Sequence, residues 1–286
     1  MNRADARLTL ARPDLASSEL EGIVAAACYA EPRRLRLAQP SAPVRAAPRP
    51  NAEQVDQLIH GEGFAALERQ GDWLWGQARR DGYVGFVEAA ALAPAGAMPT
   101  HRVGHIRTFA FAEPSIKAPA CGPFSLNALV VIEAEAGDFA RREGGGWFWR
   151  AHLRPIGVFE TDPAGVAERF LGAPYLWGGR DSLGLDCSGL VQQALYACGL
   201  ACPRDTDQQA GLGCEVAAAA LARGDLVFWT GHVGMMLDGA RLIHANAHHL
   251  AVAVEPLAEA AARIEAGGGG RTTALRRIGR VGGEPA

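Results

Sequence analysis

The chain has 286 residues, 49% of them hydrophobic and 21% charged, with a formal net charge of −3. That balance is ordinary for a soluble globular protein of two or three domains, and it argues against nucleic acid as a partner because nothing offsets a phosphate backbone. No run approaches the roughly 18 apolar residues of a membrane span, and the irregular spacing of the six cysteines resembles no disulfide framework.

The first residues, 1–10, are polar. The apolar run 23–28 is short, follows Glu19 and Glu21, and lacks a basic stretch ahead of it, so it does not read as an export signal. The expected location is therefore the cytoplasm. Residues 15–29 read as a short amphipathic helix begun at Ser17 or Ser18, and residues 1–30 as an N-terminal helical segment. Within 31–95, Arg33-Arg-Leu-Arg-Leu37 starts a strand and a Pro/Ala-rich loop spans 40–50. Leu58-Ile59 begins another strand, and the runs at 61–68, 73–78 and 83–87 are separated by Gln70-Gly-Asp72 and Arg80-Asp-Gly82. Short strands punctuated by Asp-Gly turns predict a small β-barrel. Residues 96–158 repeat the pattern more loosely, with strands at 102–111, 129–134, 138–142 and 147–152.

Thr161-Asp-Pro163 marks a boundary, with Asp162-Pro163 suited to start a helix over 164–171. A glycine-broken loop, Pro174-Tyr-Leu-Trp-Gly-Gly-Arg, leads to Asp186-Cys187-Ser188-Gly189. From Cys187 onward Leu190, Val191, Ala194, Leu195 and Cys198 recur at helical spacing, with Asp186 as N-cap and Gly199 closing the segment. Cys187 then lies in the first turn, where unpaired N–H groups and the helix dipole favour the nucleophilic thiolate. The plain alternative is a buried thiol acting as a small hydrophobe.

Leu226-Val-Phe-Trp229 reads as a strand, followed by a hairpin whose arms are 232–237 and 241–246 around Asp238-Gly239-Ala240. A three-residue loop pairs Leu237 with Arg241, so His232 faces Asn246 and His244 faces Gly234. Period-two alternation then sends both imidazoles to one side, where His232 serves as base and His244 orients it. Cys198, Cys202 and Cys214 lack a local histidine to complete a zinc set and are expected as buried thiols. The end of the chain predicts a helix over 255–266 with Leu257, Ala261 and Ile264 on one face, a glycine loop at 267–270, and a last strand at 271–278 with a solvated basic exterior.

In this order and spacing, Pro174-Tyr175-x-Trp177-Gly-Gly, Asp186-Cys187-Ser188-Gly189, Arg223-Gly-Asp225-Leu-Val-Phe, Gly231-His232-Val-Gly and Ile243-His244-Ala resemble the NlpC/P60 cysteine peptidases, a papain-like family acting on cell-wall peptides. The resemblance implies an α+β fold: a papain-like catalytic domain over 159–286, with the cysteine helix packed on an antiparallel sheet, preceded by two small SH3-like β-barrels at 31–95 and 96–158. It implies Cys187 as nucleophile, His232 as general base and acid, His244 as orienting residue, and Tyr175 as a polariser of the scissile carbonyl. No cofactor is needed, and a monomer is expected.

Two SH3-like modules ahead of such a domain resemble the γ-D-glutamyl-L-diamino acid endopeptidases of murein recycling, whose first module closes one end of the cleft and selects a free N-terminal L-Ala. Carried over, Glu62 pairs with the substrate ammonium, Tyr83 hydrogen-bonds near it and Trp177 walls the pocket. Asp186 also faces the ammonium, while Ser188 and Thr206 bond the D-glutamyl part. Each has a plainer reading: Glu62 as a turn residue, Tyr83 and Trp177 as core aromatics, Asp186 and Thr206 as helix caps. Arg204 and Asp205 read as a structural ion pair, and His248 and His249 as surface residues. The expected partner is a murein stem peptide. Amidase or acyltransferase chemistry on another substrate, or a non-catalytic peptide-binding protein, are the competing functions.

Overall fold

The computed structural model describes residues 5–279, so residues 1–4 of the polar N-terminus and 280–286 of the last domain lie outside it. Its Cα packing separates two units, Met1–Ile156 and Gly157–Ala286.

The first unit is built almost wholly of antiparallel strands. A seven-stranded sheet runs in the order Gln54–Ile59, Ser41–Arg45, Val84–Glu88, Trp73–Ala78, Gly63–Gln70, Arg33–Leu37, Leu92–Pro94. Leu37, Val44, Leu58, Phe64, Leu74, Tyr83 and Val87 form its core. Two further sheets follow, one of three strands (Leu129–Val130, His101–Val103, Leu153–Pro155) and one of five (Ala120–Ser125, Arg107–Phe111, Trp147–Trp149, Phe139–Arg142, Ile132–Ala136). Their shared core holds Val103, Phe124, Phe148 and Leu153, and Ile59 from the first sheet joins it.

Three expectations need correction here. The predicted loop at 40–50 contains the strand Ser41–Arg45. Pro43 is tolerated because the strand pairs fully only with Gln54–Ile59 and touches Val84–Glu88 through Arg45 alone, so a missing N–H breaks no second ladder. No α-helix forms at 15–29. A single 3₁₀ turn, Ser18–Leu20, sits between Ala16–Ser17 and its parallel partner Tyr29–Ala30. Gly22 turns the chain, and Ile23, 75% exposed, has no face to bury. The predicted strand 102–111 is two strands that belong to different sheets.

The second unit carries a six-stranded antiparallel sheet ordered Cys214–Glu215, Ala274–Arg277, Leu226–Trp229, His232–Met236, Arg241–Asn246, Ala251–Pro256. The C-terminal helix is Leu257–Ala266, two residues shorter at its start than predicted. Its Leu257, Ala260, Ala261 and Ile264 pack with Val227, Trp229, Met236 and Leu242. The helix Cys187–Ala197 packs against the strands His232–Met236 and Arg241–Asn246, and all of its residues are buried. The short helix Pro163–Glu168 begins at Pro163 with Asp162 as N-cap residue and also packs on the cysteine helix. The basic exterior predicted for the last strand is engaged: Arg271 donates to Glu265, Arg276 to Ala210 O at 2.7 Å, and Arg277 twice to the buried Asp225, from Nε at 2.8 Å and Nη2 at 2.7 Å. Asp225 also accepts from Ala222 N–H, so this carboxylate ties the turn before strand Leu226–Trp229 to the chain's last strand.

Candidate active site

Cys187 is the first residue of its helix, and Asp186 caps it by accepting the Gly189 N–H at 2.8 Å. Gly189 has no substitute here, because a Cβ would lie 2.3 Å from the Gly179 carbonyl oxygen. Cys198 is the C-cap residue, and Gly199 follows at φ +76°. Cys187 is only 6% exposed, yet its surroundings are polar: backbone N–H groups of Val233 and Ser188 donate toward the sulfur, with Asp186 and Arg204 in electrostatic range.

The predicted pull toward thiolate is corrected. Burial first, then the Asp186 carboxylate, push the Cys187 thiol up to about 12, and the two N–H donors and Arg204 offset only part of this. His232 moves the opposite way. Burial, then His244 and Arg263, hold its imidazole down to about 3 against the upward influence of Glu255 and Asp186. Both shifts favour the uncharged form, the thiol at Cys187 and the neutral imidazole at His232.

The hairpin register follows the predicted one. Met235 pairs with Ile243 and Met236 with Leu242, Leu237 N–H donates to Arg241 O at 2.8 Å, and Asp238-Gly239-Ala240 forms the loop. Both imidazoles therefore share a face, with His232 Nε2 2.8 Å from His244 Nδ1. The line of contacts continues past the predicted residues. His244 Nε2 lies 2.6 Å from Glu255 Oε1, and Arg263 grips Glu255 at both oxygens, Nη1 to Oε2 at 2.5 Å and Nη2 to Oε1. Burial opposes ionisation of Glu255, but Arg263 and His244 outweigh it and hold the carboxyl down to about 2. His244 is lowered, by burial above all, although Glu255 acts upward on it.

Tyr175 is half-buried, and its backbone N–H donates to Leu250 O at 2.9 Å. Its phenol is raised above its ordinary value by burial and then by Cys187 and Asp186, which brings the tyrosine into the electrostatic neighbourhood of the thiol. Trp177 is 59% exposed, so it is no core aromatic.

The residues expected to bind substrate have other partners in the structure. Both Asp186 oxygens are engaged: Arg204 donates to them at 3.0 and 2.6 Å, Gly178 N–H at 2.8 Å, and Ser188 Oγ at 3.2 Å. Arg204 also donates to Ser188 Oγ at 2.6 Å. The expected Arg204–Asp205 pair is corrected accordingly: Arg204 turns inward to Asp186, and Asp205 is the N-cap of Thr206–Gln209 through a capping box with Gln208. Thr206 is the first residue of that helix and not its cap. In the first unit Glu62 is 1% exposed and accepts from Ile59 N–H at 3.0 Å and from Arg80 at 3.3 Å. Tyr83 packs its ring in the core of the seven-stranded sheet. His248 and His249 are exposed, and His249 bonds Asn246.

Glu255, Arg263 and the inward Arg204 were not read from the sequence. Glu255 had a signal: extending the strand alternation one hairpin further pairs it with Leu242, on the face of His244. Among the described residues no cluster of three His, Cys, Asp or Glu side chains is arranged to hold a metal, and no helix is long and apolar enough to cross a membrane.

Residues 172–263 match the NlpC/P60 family, and residues 44–92 match the bacterial dipeptidyl-peptidase SH3 domain. A gamma-D-glutamyl-L-lysine dipeptidyl-peptidase of Bacillus subtilis (strain 168) is 38% identical over 84 residues, 27% of this chain and 28% of that protein. A protein of the same name from Bacillus cereus (strain ATCC 10987 / NRS 248) is 30% identical over 124 residues, 41% of this chain and 37% of its own length. The matched stretches thus span well under half of either relative. An NlpC/P60 family protein of Bacillus cereus ATCC 10987 has a crystal structure that superposes with a TM-score of 0.72 at 20% identity, covering 86% of this chain and 99% of that one; the likeness is one of fold. Residues 172–263 thus form an NlpC/P60 domain, and residues 44–92 a bacterial dipeptidyl-peptidase SH3 domain.

Proposed function

We propose that this chain is a cysteine endopeptidase that hydrolyses the γ-D-glutamyl-L-diamino acid bond of murein stem peptides bearing a free N-terminal L-Ala, releasing L-Ala-γ-D-Glu for recycling in the cytoplasm. The observation that carries the reading is the same-face contact of His232 with His244, on a strand packed against the helix that begins at Cys187. The names of the relatives support the bond class. Glu62, Tyr83 and Asp186 are proposed for the free-amine selection, Trp177 for the pocket wall, and Ser188 and Thr206 for the D-glutamyl part.

Cys187 Sγ attacks the γ-carbonyl carbon while His232 takes the thiol proton, so the ion pair forms only in the reaction. The Cys187 backbone N–H and the Tyr175 hydroxyl hold the oxyanion; a phenol that resists ionisation remains a donor through neutral pH. The C–N bond breaks as His232 returns its proton to the departing amine. Water then loses a proton to His232 and attacks the thioester, and the departing sulfur recovers that proton.

Purified protein tested on L-Ala-γ-D-Glu-diaminopimelate and on its N-acetylated form checks the proposal. The free peptide should be cleaved at least tenfold faster, and Cys187→Ala should abolish cleavage. Equal rates on the two peptides would overturn the free-amine selection. Undiminished cleavage by Cys187→Ala would overturn the chemistry.

A further inference from the structure

The line from His232 to Arg263 admits two proton arrangements, and only one leaves a usable base. We propose that Glu255, clamped by Arg263, is a positioning residue that fixes the tautomers of both histidines and so keeps the lone pair of His232 on Nδ1. The proposal rests on the reading of Cys187 and His232 as nucleophile and base.

The outer end decides the inner one. An ionised carboxylate only accepts hydrogen bonds, so the 2.6 Å contact from His244 Nε2 to Glu255 Oε1 requires the hydrogen on Nε2. The other nitrogen of a neutral His244, Nδ1, is then a bare acceptor. The 2.8 Å contact from His232 Nε2 must accordingly be a donated one. A neutral His232 has one ring hydrogen, now committed to Nε2, and its Nδ1 is free to take a proton. With the opposite order, the Nε2 lone pair of His244 would face a carboxylate oxygen with no hydrogen between them.

Arg263 has a separate part. A lone carboxylate beside His244 would favour the imidazolium, in which both nitrogens carry hydrogen. Nδ1–H of His244 would then donate to His232 Nε2 and drive the His232 proton onto Nδ1, removing the base. The two-point grip of Arg263 neutralises Glu255 while leaving its inner oxygen to accept from His244. The charged and titratable groups acting on the two rings are Asp186, Glu255, Arg263 and His249, besides the rings themselves.

The fold delivers this pair economically. Glu255 lies opposite Leu242 in the ladder, on the face of His244. The chain then leaves the sheet at Pro256, and the helix Leu257–Ala266 folds back over that same face, returning Arg263 to the carboxylate.

The test uses the full chain with Glu255→Gln and Arg263→Met. The amide of E255Q can accept from or donate to His244, so both tautomers become accessible without a change in shape. Its kcat on the stem peptide should fall by on the order of 10- to 100-fold with KM within about twofold. R263M, which leaves Glu255 in place, should move the acid limb of kcat to higher pH as His244 gains a proton. The tautomers are also read without substrate: ¹⁵N-histidine NMR at pH 7 should show His232 protonated at Nε2 in the wild type and a mixture in E255Q. That measurement stands even if the chosen peptide is not the substrate. Matching melting curves establish that the variants fold, and R263M tests the idea if E255Q does not. His232 tautomers unchanged in E255Q, or an unmoved acid limb in R263M, would overturn the proposal.

Discussion

Two of the carboxylate–arginine pairs in the second unit, one beside Cys187 and one behind His232 and His244, are built differently. Arg204 is 2% exposed, and the Asp186 it meets gives its oxygens to backbone N–H groups of Gly178 and Gly189. Arg263 is 30% exposed, and the Glu255 it meets gives an oxygen to a titratable ring. The first pair holds conformation: it pins the loop 174–186 to the head of the cysteine helix. The second holds protonation. Equal formal chemistry therefore predicts unequal consequences when the cation is removed.

Arg204→Met is expected to have the largest effect on folding. It leaves the buried Asp186 charge without its counter-ion, a change that costs about 3–5 kcal/mol when one partner of a buried pair is lost. Denaturant unfolding of the second unit would register it, and Arg263→Met should cost far less because water reaches that guanidinium. If the two variants are destabilised equally, the division into a conformational pair and a protonation pair is wrong.

The first unit supplies a third case, an arginine beside a histidine with no carboxylate between them. Arg142 Nη1 lies 3.2 Å from His60 Nε2, and burial, then Arg142, lower the His60 pKa from 6.5 to about 4. The folded chain binds a proton at His60 later than the unfolded chain does. Stability is thus fully present above pH 6.5 and is lost as pH falls toward 4. At 1.36 kcal/mol per pH unit the total is about 3 kcal/mol. His60→Gln, which can still accept from Arg142 but does not titrate, should lose less melting temperature between pH 7 and pH 5 than the wild type. Parallel declines would show that His60 does not carry the acid sensitivity.

What could be read beforehand divides along similar physical lines. The hairpin register was legible because an Asp-Gly turn and period-two alternation are both local, and together they put His232 and His244 on one side. Cys187 at a helix head was legible from Asp186 and the apolar spacing after it. Glu255 was hidden because Glu-Pro-Leu before an alanine-rich run reads as a helix start, although the strand continues through Pro256. Arg204 was hidden because its partner lies 18 residues away, while an acidic neighbour, Asp205, stood next to it. The strand at 41–45 was hidden by Pro43, whose missing donor matters only where two full ladders meet.

The helix-head position does not decide the protonation of Cys187, for an energetic reason. A helix terminus contributes about 0.3–1 kcal/mol in exposed settings, whereas burying an anion beside Asp186 works against it with greater force. The smallest predicted effect follows from that ordering. With the thiol pushed up to about 12 and His232 down to about 3, the resting thiolate fraction at Cys187 rises about tenfold per pH unit through the neutral range. Iodoacetamide modification of the Cys187 peptide, followed by mass spectrometry, should climb with that slope between pH 6 and pH 9. A rate that is flat across the range would mean a standing thiolate–imidazolium pair, and the Asp186–Arg204 pair would then have to act on the sulfur's charge as well as on its position.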